Sequence, residues 1–136
     1  MKKITMLLVT MFLTAGSLLA ASLDGTQWKV KVVPDSVSKK AGMNGFKNRL
    51  VFNNGTVHMT ECAKSGYKDS AYQTADSGGS TTWSTSQTSD DKKEGGSSQW
   101  EGTISGNKIQ GTDLWTNLQG QTYKFTYSGV KIESKK

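Results

Sequence analysis

Three side chains hold most of the chemistry open to this sequence: His58, Cys62 and Asp113. The chain has one histidine and one cysteine, four positions apart. Both types bind metals, but two ligands make no site, and no third is near in sequence. A nucleophile needs a base and a third group that orients the base, and one His with one Cys is poor material for that. No HExxH, GxSxG or phosphate-binding glycine-loop pattern occurs. No metal, no cofactor and no enzymatic activity are therefore expected; a carboxylate pair formed across the fold is the one catalytic option left. Without a second cysteine there is no internal disulfide, so Cys62 reads as an inert thiol or, second, as the source of an intermolecular bridge. Asp113 stands out because it falls in a row of apolar residues, where a bare carboxylate is costly. It is either a polar anchor inside a cavity or an acid turned to solvent at a mouth or bulge.

The elements that place Asp113 lie between Trp100 and Val130 (WEGTISGNKIQGTDLWTNLQGQTYKFTYSGV). Gly106-Asn107 suits a two-residue hairpin turn, because both types tolerate positive φ. Counting outward, Ile104 faces Ile109, Gly102 faces Gly111 and Trp100 faces Asp113. Leu118-Gln119-Gly120 fits a three-residue turn closed by a glycine bulge. It pairs Trp115 with Tyr123, Asp113 with Phe125 and Gly111 with Tyr127, so that a ring covers a bare glycine. Both turns give the same dry face: Trp100, Ile104, Ile109, Trp115, Tyr123, Phe125 and Tyr127. Glu101, Thr103, Lys108, Gln110, Thr112, Lys124, Thr126 and Ser128 form the wet one.

The first half repeats the pattern. Trp28, Val30 and Val32 share one face of a strand that ends at Pro34-Asp35. Asp35 to Lys47 reads as a loop with room for one helical turn. Asn54-Gly55 is a strong hairpin signal and pairs Phe52 with Val57, Leu50 with Met59 and Val51 with His58. In that register His58 points outward, and Cys62 is expected on the same outer face. Ala63 to Lys68 is a loop, Ala71 to Ala75 a short strand, and residues 76–80 a turn. Thr81 to Thr88 is a strand with Trp83, Thr85 and Gln87 on one face. SDDKKEGGS, residues 89–97, is a solvated hairpin tip.

Residues 1–21 form a secretory signal peptide, with Met1-Lys2-Lys3, an apolar run to Leu19 and small residues at Ala20-Ala21-Ser22. The run is too short for a stable span, so no integral membrane segment is expected after processing. The short basic start has a bacterial form and implies a periplasmic or secreted protein. Residues 22–136 then make one domain, with fifteen basic residues against eleven acidic ones. The lysines are scattered rather than striped, which argues against a nucleic-acid partner. Fifteen glycines, one proline and many Thr and Ser are the composition of a turn-rich β protein. About eight strands with mostly short links give an all-β fold, a single antiparallel up-and-down barrel closed to remove its edges.

The opening Leu23-Asp24-Gly25-Thr26-Gln27-Trp28, with Trp100-Glu101-Gly102-Thr103-Ile104-Ser105-Gly106 and Ile109-Gln110-Gly111, resembles the calycin group of small secreted lipocalin-like and avidin-like barrels. The first half, through Leu23-x-Gly25-Thr26-x-Trp28 and Leu50-x-Phe52, is also similar to periplasmic META-type domains. The calycin resemblance implies a ligand cavity in the barrel mouth. On that reading the protein binds a small apolar or amphipathic ligand, as a monomer or weak dimer. The cavity-lining candidates are Trp83, Thr85, Gln87, Trp100, Asp113, Trp115, Tyr123, Phe125 and Tyr127. The competing reading is a protein-binding module, an inhibitor or envelope-stress protein, acting through loops Asp35–Lys47 and Ser89–Ser97.

Overall fold

The computed structural model describes residues 23–76 and 78–133; the signal peptide expected over residues 1–21 lies outside them. Eight strands run Gln27–Pro34 (β1), Phe46–Asn53 (β2), Thr56–Met59 (β3), Ser70–Asp76 (β4), Thr81–Thr88 (β5), Ser97–Ser105 (β6), Lys108–Thr116 (β7) and Thr122–Lys131 (β8). They pair in chain order, all antiparallel, and β1 closes on β8 through Trp28↔Lys131 to Pro34↔Phe125. The fold is thus the closed up-and-down barrel that the alternation implies. No helix among the described residues is long and apolar enough to cross a membrane.

Period-2 alternation sets which side chains enter. β1 buries Trp28, Val30 and Val32 and exposes Lys29, Lys31 and Val33. The Asn54-Gly55 hairpin has the expected register, with φ of 52° and 75° at its two turn residues. Both hairpins of the second half also match, Gly106 and Gly120 supplying the positive φ. Since a one-residue slip would turn every apolar residue of a strand outward, the two-faced pattern fixes register wherever one face is buried.

One end of the barrel is plugged. Asp24, just before β1, accepts a bond from the backbone N–H of Gly55 at 3.0 Å and from the Tyr72 hydroxyl at 2.6 Å. It ties the chain start to the β2–β3 turn and to β4. Trp28 Nε1 donates to Thr26 Oγ1 at 3.0 Å, and the Thr26 hydroxyl to the Leu23 carbonyl at 2.6 Å. Above this plug Phe52 meets Tyr72 and Trp83 edge-on, at ring-centroid distances of 4.9 and 5.1 Å.

The other end is built from four longer connections. Asp35 caps a short helix, Ser36–Lys40 (α1), by accepting from Ser38 N at 2.7 Å. Ser38 is buried, and its Oγ accepts from Lys124 N at 3.1 Å, which pins α1 to β8. The helical turn anticipated in the Asp35–Lys47 loop is therefore present, but β2 begins at Phe46, inside the stretch read as loop. A second helix, Thr60–Ala63 (α2), follows β3 at once. It interrupts the wall: β3 and β4 pair only through Thr56↔Ala71 and Val57↔Ser70. At this seam Glu61, Cys62, Ser65 and Tyr67 line the mouth.

The expectation for Cys62 fails here. The strand stops at Met59, so the outward alternation of His58 does not continue, and the helical turn rotates Cys62 against the core. His58 does stay outside, paired with Asp69 at 2.7 Å. The 89–97 tip is also anchored. Tyr67 and Ser89 form an antiparallel bridge, Asp90 N donates to the Gly66 carbonyl at 3.2 Å, and Ser89 Oγ donates to the Ser65 carbonyl at 2.5 Å.

Candidate functional site

The inward side chains of β5 to β8 fall on three rungs of the ladder. The outer rung carries Gln87, Ser98, Trp115 and Tyr123; the middle one Thr85, Trp100, Asp113 and Phe125; the inner one Trp83, Gly102, Gly111 and Tyr127. All nine residues expected to line a cavity lie on these rungs, and the three rungs have different fates.

The inner rung is solid. Gly102 and Gly111 leave a gap that Trp83 and Tyr127 fill, their rings 6.4 Å apart and steeply inclined. The Tyr127 hydroxyl donates to the Glu101 carbonyl at 3.0 Å. Trp100, from the middle rung, packs on Tyr127 at 5.1 Å and is fully buried. Trp83, Trp100 and Tyr127 are therefore core that supports the cavity from below and do not line it. Thr85 is also interior structure, bonded to Ser70 Oγ at 2.6 Å and to the Ala71 carbonyl at 2.7 Å. Gln87 is buried and donates weakly to the Lys68 carbonyl at 3.4 Å, while its Oε1 has no partner.

The mouth is hollow. A cavity of about 260 Å³ lies between Phe46, Tyr67, Trp115 and Phe125, with Asp113 and Cys62 reaching into it. Asp113, Trp115 and Phe125 are the expected residues that line it. Tyr123 stacks behind Trp115 at 5.6 Å and supports it without lining the space. Trp115 Nε1 donates to the Tyr67 hydroxyl at 2.7 Å, which ties β7 to the connection between α2 and β4.

Asp113 is 4 % exposed, and its Oδ1 has no hydrogen-bond partner. Burial pushes its carboxyl up to about 7; a hydrogen bond from Ser98 acts in the opposite direction. Of the two readings of this residue, the structure gives the inward one. A second loss of charge lies opposite. Burial raises the Cys62 thiol to about 12, against a lowering bond from Asn48 Nδ2 at 3.4 Å, with Asp113 and Glu61 adding to the rise. Such a thiol is a poor nucleophile. At pH 8, iodoacetamide is expected to label native Cys62 on the order of 10³-fold more slowly than a free thiol, since the thiolate fraction falls with each unit of pKa. Labelling as fast as in urea-unfolded protein would show that the side chain does not face the cavity.

Sequence reasoning missed Phe46, Tyr67 and Ser98. Ser98 was recoverable, because it shares the alternation of Trp100 and Gly102. Tyr67 and Phe46 were not, since one lies outside any regular element and the other in a stretch read as loop. A larger depression, about 840 Å³, runs over the outside of the barrel between Gln73, Ser84, Glu101, Gln110 and Thr126. It is an open trough on the wet face, where hydroxyl, amide and charged side chains mix with Val33 and Ala75 and reach down to Trp83 and Tyr127 at the glycine pair. Against protein-family models, curated proteins and solved structures the chain finds no match.

Proposed function

We propose that this is an exported, calycin-like binding protein, periplasmic or secreted in a bacterium, that holds one small amphipathic ligand in the barrel mouth and catalyses no reaction. The observation that carries the reading is Asp113: among the described residues its buried Oδ1 has no hydrogen-bond partner, at the floor of an aromatic-walled cavity. Buried polar groups are ordinarily satisfied, and one left open in a pocket is the usual mark of a missing ligand group or water. The apolar walls would take the body of the ligand, and Asp113 would take its polar end. The burial that raises the Cys62 thiol favours binding over covalent chemistry. Monomer or weak dimer is the expected state, because the cysteine is turned inward and the ring of strands is closed.

Native mass spectrometry of the protein from its own compartment, followed by denaturing extraction, tests the proposal. Extra mass released on unfolding is the expected result. A bare monomer mass together with a stoichiometric protein partner would favour the protein-binding alternative through the connections around the mouth. A dimer that separates only under reduction would contradict the inward placement of Cys62.

A further inference from the structure

We infer that the mouth cavity selects an organic cation, a compact ligand whose ammonium group meets Asp113 and whose apolar body lies among the rings. This rests on the binding function proposed above and names the ligand class for the same site. The first support is charge sorting. The chain is basic, with 17 Lys and Arg against 11 Asp and Glu, yet the charged residues around this cavity are Glu61, Glu94 and Asp113, with no Lys or Arg among its lining. The nearest cation on α2's flank, Lys64, is bonded to Glu61 at 2.9 Å and is mostly in solvent. Among the described residues Asp113 itself has no counter-ion.

The second support is the wall. Phe46, Tyr67, Trp115 and Phe125 present aromatic rings to one small space, and ring faces attract ammonium groups that have lost their water. The third is satisfaction. An ammonium offers up to three donors and a positive charge, so it completes Oδ1 and neutralises the carboxylate together. An alcohol would supply one donor and leave the charge uncompensated; an acid would be repelled. A metal ion fits less well, because no group of three His, Cys, Asp or Glu side chains among the described residues is placed to hold one. The volume, below the ~300–1,000 Å³ of drug-sized sites, suits a single ring or short chain.

Binding should then be coupled to protons. The groups around Asp113 are Glu61 and Cys62 from α2, Tyr67 after it, Glu94 from the β5–β6 connection, Ser98 from β6 and Tyr127 from β8. Burial shifts the Cys62 thiol and the two tyrosine hydroxyls upward, so all three stay neutral near pH 7. Asp113 must lose its proton to pair with a cation, and affinity should rise with pH until the carboxyl is ionised.

The test is calorimetric titration of the purified protein with benzylamine, benzyl alcohol and benzoate at pH 8.0 and 5.5, on wild type and Asp113→Asn. Benzylamine is cationic at both pH values. The expected result is binding of benzylamine at least about tenfold tighter than benzyl alcohol at pH 8.0. Most of that preference should disappear at pH 5.5, and all of it in Asp113→Asn. Equal or tighter binding of the alcohol at pH 8.0, or a preference that survives in Asp113→Asn, would overturn the cation inference and leave the cavity reading standing. If none of the three probes binds at millimolar concentration at either pH, both readings fall. The wild-type pH comparison stands independently of the variant.

Discussion

Asp113→Asn should stabilise the protein at pH 8 relative to its effect at pH 4.5, by about 3 kcal/mol in the difference between the two conditions. The folded carboxyl titrates near 7, well above an ordinary aspartate at 3.8. A raised acid binds its proton more tightly in the folded state than in the unfolded one. Its contribution is therefore complete below the unfolded pKa, declines as pH rises, and is fully lost above about 7. Asparagine has nearly the same shape and no charge, so it removes this decline. Its amide can itself lack a partner, at a cost of about 1–3 kcal/mol, but that cost is the same at both pH values and cancels from the comparison. Other carboxylates cancel too. Asp35, whose carboxyl is held low chiefly by the Ser38 backbone N–H, pulls stability the opposite way in wild type and variant alike. Urea unfolding at the two pH values gives the difference directly. An equal effect of the substitution at pH 4.5 and 8 would mean that Asp113 is not buried as a free acid. The same experiment bears on function: a ligand supplying a cation to Asp113 should abolish the wild type's loss at high pH.

What the sequence reveals and what it hides divide along one physical line. The barrel, its register and the inward position of Asp113 follow from alternation and turn chemistry, which are local. Gly106-Asn107 and Leu118-Gln119-Gly120 fix two hairpins independently, and both deliver Asp113 between Trp100 and Phe125. The cavity is not local. It exists because Gly102 and Gly111 let Trp83 and Tyr127 fill the lower interior, while α2 and Tyr67 hold the upper interior open. Cys62 illustrates the failure. Its placement depends on where β3 gives way to helix, and Thr60-Glu61-Cys62-Ala63 has no side-chain cap that would mark the change. Which inward aromatics fill and which line depends on depth along the barrel axis, and a period of two carries no information about depth.

Gly111→Ala is expected to be severely damaging, costing about 3 kcal/mol and abolishing folding in an already marginal background. A Cβ at this position would collide with the Glu101 carbonyl oxygen, lie 2.5 Å from Gly102 Cα and meet the Tyr127 hydroxyl at 2.6 Å. Two of these three neighbours are backbone of the paired strand and cannot swing aside. The third is the phenol whose bond to Glu101 holds its ring over the glycine pair. The glycine is needed for space here rather than for a special backbone angle, because Gly111 sits in a regular strand. Alanine at Gly55 or Gly106 should act differently, since nothing lies within 4 Å of a Cβ there and the strain comes from φ alone, at about 1 kcal/mol. Thermal unfolding of Gly111→Ala beside Gly106→Ala separates the two causes. A loss at Gly111 no larger than that at Gly106 would mean that β6 and β7 are not pressed together beneath the cavity. The packed floor on which Asp113 is placed would then have to be abandoned as well. If the expected order holds, β6 and β7 are pressed together beneath Asp113, and the cavity above them rests on a filled floor.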